Sequence, residues 1–334
     1  MKSKILEPIS GFNEFFYKSC YFHSLFPALI YLNKNISSIL AYDVNVYKIL
    51  NDAQGLLCQS RPDVDHTLME ILDNIGISTE GIRYANNLHE RIVKAIQRER
   101  PILLWVDCYY LSIRNDTYNK IHFPHTLLVH GYDQDQQIYH IIEHKNKEHL
   151  SYENRILPME DLNKAYEGYQ LINSFDIQET YCEFYLNEDR YNVKNLNSSE
   201  EADFYLNLLL NKKQEILNGL TELDSFIAWF SQRDETRIPF SLDYTFKWLE
   251  YLNDIIFDKK AEQYKLRVFF GNPEKAKIAI DSIVSSWTDI RAVIAKLYYS
   301  QNYNEKSFIS ISDQLSRILE LEYQYYQELW SIRS

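Results

Sequence analysis

No stretch of this sequence approaches the ~18 consecutive apolar residues of a membrane span. The opening residues, Met1-Lys2-Ser3-Lys4-Ile5-Leu6-Glu7-Pro8, carry too short an apolar run for a signal peptide. Cysteine is scarce: Cys20, Cys58, Cys108 and Cys182 are the only four, and no pair has CxxC spacing. That argues against a disulfide framework or a zinc site and leads to the expectation of reduced thiols in a cytoplasmic protein. Basic charge is also short. The formal net charge is −12, and the lysines and arginines are dispersed without a stripe, so the electrostatic footprint of a nucleic-acid binder is missing. The same acidity argues against docking to an acidic carrier protein by charge alone.

What is present is an ordinary globular composition, 46% apolar and 25% charged, with a length of 334 residues that suits two domains. The first half mixes periods. Residues 20–33 read as a buried helix, and residues 43–50 as the start of another. Leu68, Ile71, Leu72 and Ile75 share a helical face that Gly76 ends, and Leu88, Ile92, Val93 and Ile96 share a second. Arg100-Pro101 introduces a buried strand, Ile102 to Val106. The expected fold class is α+β, an antiparallel sheet against an N-terminal helix. Residues 147–200 are in part polar and turn-rich, and Asn195 to Glu201 reads as a linker running into a helix cap. Beyond it, five segments (201–217, 220–232, 241–258, 274–299 and 312–332) show apolar residues at three and four spacing, with breaks at Arg237-Ile238-Pro239 and Gly271-Asn272-Pro273. The expected domains are therefore 1–195, α+β, and 196–334, an all-helical bundle. The tryptophans and tyrosines of the bundle are expected in its core, and the bundle itself is expected to cap a cleft or form a homodimer.

The residues that bear chemistry lie in the first half. Cys20 heads the apolar helix, in Lys18-Ser19-Cys20-Tyr21-Phe22-His23-Ser24. At a helix N-terminus the unpaired N–H groups and the macrodipole favour a thiolate. His125 stands about a hundred residues on, at the head of the apolar run Thr126 to Val129. The turn Gly131 to Gln137 and a second run, Ile138 to Ile142, complete a hairpin signal that brings Glu143 back beside the start of the first strand. A carboxylate there holds an imidazole in the tautomer a base requires.

The order Cys, His, acid is papain-like. Together with the strand Arg100 to Leu111 and the segment His122 to Asp133, it makes residues 10–170 resemble the N-terminal domain of the butirosin biosynthesis protein H family, itself similar to papain-like bacteriocin-leader peptidases. The resemblance implies a cysteine acyltransferase in secondary-metabolite assembly, which moves an acyl group from a carrier-protein thioester to the amine of a small molecule. Its partners would be an acyl or peptidyl carrier protein bearing the donor on a phosphopantetheine arm, with no other cofactor and with neither nucleic acid nor membrane. The catalytic residues would be Cys20, His125 and Glu143, the last standing where Asp or Asn is more usual. Peptidase relatives carry a glutamine before the cysteine for the oxyanion hole, and here Asn13 is the candidate donor. The alternatives are a cysteine peptidase or amidase using the same site, and a non-catalytic papain-like scaffold.

Other groups invite roles. Asp107, Tyr109, Tyr110 and His23 are candidate substrate-binding residues. Asp107 can hold an acceptor amine or simply cap its strand, and His23, one turn after Cys20, is a rival base. His122, His125 and His130 with Glu143 lack the helical i, i+4 geometry of familiar zinc proteases, so no metal is expected.

Overall fold

The computed structural model describes residues 2–63, 65–146, 149–172, 179–187, 198–232, 241–301 and 305–332. The elements run β1 (Ser3–Ile5), α1 (Cys20–Tyr31), α2 (Ser37–Leu40), β2 (Val44–Asp52), β3 (Gly55–Asp63), α3 (Leu68–Asn74), β4 (Ile77–Ile82) and α4 (Leu88–Gln97). Then come β5 (Ile102–Asp107), a 3-10 turn (Cys108–Tyr110), β6 (Pro124–Asp133), β7 (Ile138–Asn146), β8 (His149–Pro158), α5 (Met159–Ile172) and β9 (Tyr181–Leu186). Five helices follow: α6 (Ser198–Asn211), α7 (Lys213–Ser231), α8 (Leu242–Phe270), α9 (Glu274–Ser300) and α10 (Glu305–Ser331).

The chain divides into two compact units. One comprises Met1–Ile36 and Leu68–Asn195, the other Ser37–Thr67 and Leu196–Ser334. The class is α+β. A contiguous domain over 1–195 is not what forms, because Ser37–Thr67 leaves the first unit and packs with the helices of the second.

The first unit is built on a seven-stranded antiparallel sheet in the order β4-β9-β5-β6-β7-β8, with β1 pairing the far end of β6. Helices α1 and α5 pack on its central strands. Strand β5 is buried at every position except Trp105, which is half-buried; such a near-continuous apolar run is what a central strand covered on both faces requires. The hairpin read at 126–142 is present. Leu128 opposes Ile142, and a bulge at His130 shifts the register before Gly131 opposes His140. Residues 149–172 and 181–186 are more regular than the polarity of this region suggests, supplying β8, α5 and β9. In α5, Leu162, Ala165, Tyr166 and Tyr169 are buried at helical spacing.

In the second unit the helix expected to start within 43–50 is instead strand β2. Val44 and Val46 alternate with Asn45 and Tyr47, and the two-residue turn before Gly55 folds β3 back in register. Period two with β-branched residues outweighs a short apolar run. The hairpin lies mainly on α7 and α8. At Gly219 of α7 any Cβ would stand 3.0 Å from the Tyr47 backbone nitrogen, so the missing side chain permits that approach. The helices differ in detail from the sequence reading: Lys212 separates α6 from α7, and α8 runs on to Phe270, where left-handed Gly271 (φ 67°) closes it. The expected break at 237–239 and the linker residues 195–197 lie outside the described residues. Trp248 and Trp287 are fully buried, as expected of a core. Inside this core Lys259 meets Glu322 at 2.8 Å and Glu262 at 3.1 Å. Tyr47 donates to Glu322 at 2.6 Å and accepts from the Trp287 indole at 3.1 Å.

Candidate active site

Helix α1 starts at Cys20 because the chain before it is forced into a sharp entry. Lys18 adopts φ 50°, left-handed for a residue with a side chain, and Ser19 is extended. Ser19, the N-cap, makes no side-chain cap hydrogen bond. The first backbone N–H groups of the helix, which have no intrahelical acceptor, are thus left uncapped by that hydroxyl beside the Cys20 thiol.

His23 organises this entry. Its Nε2 accepts the Tyr17 backbone N–H at 3.2 Å, so Nδ1 carries the proton and donates to the Phe12 carbonyl at 3.3 Å. Burial pushes His23 down to about 4, which keeps it neutral and in that tautomer. Both nitrogens are committed to the Phe12–Tyr17 loop, so His23 acts as its clamp and is not the base. Its ring lies between Phe16 (4.6 Å) and Tyr152 (4.5 Å, 11° from parallel).

On β6, His125 Nε2 lies 3.0 Å from the Glu143 carboxylate, which leaves Nδ1 for the thiol. Burial disfavours the imidazolium, but Glu143 and then Cys20 outweigh it and hold His125 well above the usual histidine value. Burial likewise raises the Cys20 thiol; the charge and hydrogen bond of His125, with hydrogen bonding from Thr126, more than offset this and bring Cys20 to about 7. Thr126 in turn receives a hydrogen bond from Ser24 at 3.4 Å. The other thiols contrast: burial pushes Cys108 up to about 11 and Cys182 to about 12, and raises Cys58 further still. Cys20 is partly exposed, whereas the other three are buried.

Glu143 is fully buried and is held by more than His125. Its own Oε1 accepts the His144 backbone N–H at 2.8 Å, and Arg114 Nη1 stands 3.4 Å from the same oxygen and 2.9 Å from His144 Nε2. Arg114 is itself anchored by a two-pronged contact with Asp116 at 2.8 and 2.9 Å. Ligand atoms of His125, Glu143 and His144 lie within 4.8 Å of one another. With the Arg114 guanidinium already seated against Glu143 and His144, however, this cluster carries its own cation and is a poor fit for a metal.

The remaining sequence candidates have structural partners. Asn13 forms a ladder with β8, donating to the Tyr152 carbonyl at 2.8 Å and accepting its N–H at 2.7 Å, so its amide is engaged with backbone rather than aimed at the thiol. Gly11 is needed there, since a Cβ would fall 2.0 Å from the Tyr152 carbonyl oxygen. Asp107, fully buried, accepts from the Tyr109 and Phe123 backbones at 3.0 and 3.1 Å and meets His122 at 2.6 Å. It ties the ends of the 108–122 loop together instead of holding an amine. Tyr109 stacks on His122 at 4.2 Å, and Tyr110 packs on Gly168 of α5. His130 turns toward the Leu6 carbonyl, away from this group.

The structure thus unites Cys20, His125 and Glu143 and adds Thr126, Arg114, His144 and Tyr152, none of which the sequence reading singled out. Thr126 stood inside the His122 to Asp133 segment, next to His125, and His144 stood next to Glu143; Arg114 and Tyr152 had no such signal. Rings run from His23 to His125: His23 on Tyr152, Tyr152 beside His144 at 5.1 Å, and His144 edge-on to His125 at 5.1 Å.

Residues 36–144 match the family model described as butirosin biosynthesis protein H, N-terminal. The match supports the resemblance read from the sequence. It spans about a third of the chain and includes His125 and Glu143, while Cys20 lies ahead of it. No curated protein matches the chain.

Proposed function

We propose that this protein is a cysteine acyltransferase that carries an acyl group on Cys20 between a carrier-protein thioester and the amine of a small molecule in a biosynthetic pathway. The observation that carries the reading is the Cys20–His125–Glu143 chain at an uncapped helix N-terminus, with the thiol near 7 and the imidazole held protonated. A non-catalytic scaffold has no use for an activated, partly exposed thiol beside three inert ones.

In the first half-reaction the Cys20 thiolate attacks the donor carbonyl carbon, and the developing oxyanion faces the N-terminal amides of α1. The carbon–sulfur bond to the donor arm breaks, and the leaving thiolate takes the proton of the His125 imidazolium. The acyl group is then a Cys20 thioester and His125 is neutral. Exchange of one thioester for another is close to balanced, so no further energy source is required. In the second half the acceptor amine attacks the acyl carbon, His125 takes the ammonium proton, and Cys20 leaves as the thiolate that restores the ion pair. Glu143 stays ionised throughout and stabilises the imidazolium.

The partial exposure of Cys20 favours one other reading, hydrolysis, in which water resolves the same acyl-enzyme. Intact mass after incubation with acyl-pantetheine thioesters distinguishes them. An adduct on the wild type, absent from Cys20→Ala and cleared faster by amines than by water, supports the transferase. Clearance at one rate with or without amines supports a hydrolase, and no adduct from any donor overturns both.

A further inference from the structure

Beside the thiol, on the side of α5, stands an aromatic wall that the chemistry above leaves unused. Trp105 is the one incompletely buried residue of β5. Its cross-strand partner is Thr126, the residue that hydrogen-bonds the Cys20 sulfur. Trp105 lies 5.5 Å from the ring of Tyr169 on α5 and 6.5 Å from that of Tyr21, the neighbour of Cys20 in sequence. Tyr169 is close enough to the thiol for the sulfur's charge to help raise its own pKa. Three rings therefore flank one sulfur, and two of them, Trp105 and Tyr21, keep part of their surface open.

A partly exposed tryptophan in an otherwise sealed central strand needs a reason. A strand interior gains most from complete burial, and an indole left partly open forgoes some of about 25 cal/mol per Å². At the mouth of a nucleophile the open face gives a flat apolar surface for whatever is attached to the sulfur. The three rings themselves present uncharged, flat apolar surface, so the wall suits an uncharged group.

We infer that Trp105, with Tyr21 and Tyr169, forms the subsite for the acyl group bound to Cys20 and selects flat or extended apolar acyl groups over acetyl-sized ones. The identity of the bound group as an acyl rests on the function proposed above; the wall itself does not.

Two sulfur-directed reagents test it without any turnover, chloroacetamide and N-benzyl chloroacetamide, with labelling of Cys20 followed by intact mass. The wild type should favour the benzyl reagent by about tenfold relative to Trp105→Ala, the scale of discrimination one apolar contact supplies. Trp105→Phe should retain most of that preference. Trp105→Leu, which keeps more of the packing volume, should lose it. The rate with chloroacetamide itself should stay within about twofold in all three, marking an intact thiol and fold. Equal benzyl preference in the wild type, Trp105→Ala and Trp105→Leu overturns the inference. A parallel series of acetyl, hexanoyl and benzoyl pantetheine thioesters separates the two readings. If the benzyl preference falls in the variants while no donor acylates the wild type, the wall stands and acyl transfer fails. If donors acylate Cys20 with one size preference in every variant, acyl transfer stands and the wall fails.

Discussion

His125 turns Nε2, not Nδ1, toward Glu143, at 3.0 Å. That one contact decides which nitrogen meets sulfur, and it makes the thiol's acidity depend on a carboxylate it does not touch. Glu143→Gln keeps a hydrogen-bond acceptor but removes the charge that holds the imidazolium. The Cys20 titration should move upward from about 7 toward the usual thiol value, and turnover should fall by about 10²–10⁴-fold, as when a triad acid becomes an amide. Alkylation rate against pH measures the first effect; an unshifted midpoint would mean that the carboxylate only orients.

In the wild type, iodoacetamide should label Cys20 first. At pH ~7 about half of Cys20 is thiolate, whereas thiols raised to about 11 and 12, Cys108 and Cys182, are almost wholly protonated, and Cys58 more so. Peptide mapping should find the label on Cys20 with a rate that rises through pH ~7 and levels above it. Comparable labelling of all four in native protein would contradict the ion pair.

Acid should loosen the entry to α1. His23 and His130 are both held near 4 by burial, against an ordinary 6.5. Between these values the unfolded chain binds the protons and the folded chain does not, so stability is complete above pH ~6.5 and declines as pH falls toward 4, by roughly 3 kcal/mol per histidine. Urea unfolding at pH 7 and pH 4.5 reads the loss. His23→Gln, unable to gain the charge, should show a shallower decline over that range.

The buried Lys259, Glu262 and Glu322 should behave as a unit. Lys259→Met leaves two buried carboxylates facing each other and should cost about 3–5 kcal/mol. Adding Glu322→Leu removes one of them and should recover part of that loss, so the double variant is more stable than the sum of the singles. Chemical denaturation measures both, and strict additivity would show that the contact contributes little.

Local pattern carried much of this molecule. Cys20 at a helix start, the 126–142 hairpin and the return of Glu143 were legible because each rests on a short-range period or turn. The support around them was not. Arg114 reaches Glu143 from an irregular loop with no periodicity to flag it, and Thr126 reads as one more β-branched strand residue. Asn13 looks like an amide donor until Tyr152, 139 residues later, claims it from β8. The error at 43–50 has the same root: β2 earns its place through pairing with β3 and through Gly219, far along the chain.

The excursion of Ser37–Thr67 has a consequence for how the protein is made. The β2–β3 hairpin leaves the ribosome about 150 residues before the α7 surface on which it rests, a wait of roughly 10–30 s at ordinary elongation rates. During that interval Val44, Val46, Tyr47 and Leu57, all buried in the finished fold, have nothing to lie against. A nascent chain halted near residue 195 would present them indefinitely, so a gene cut at that apparent boundary should yield aggregates, whereas one that runs on through residue 334 should not.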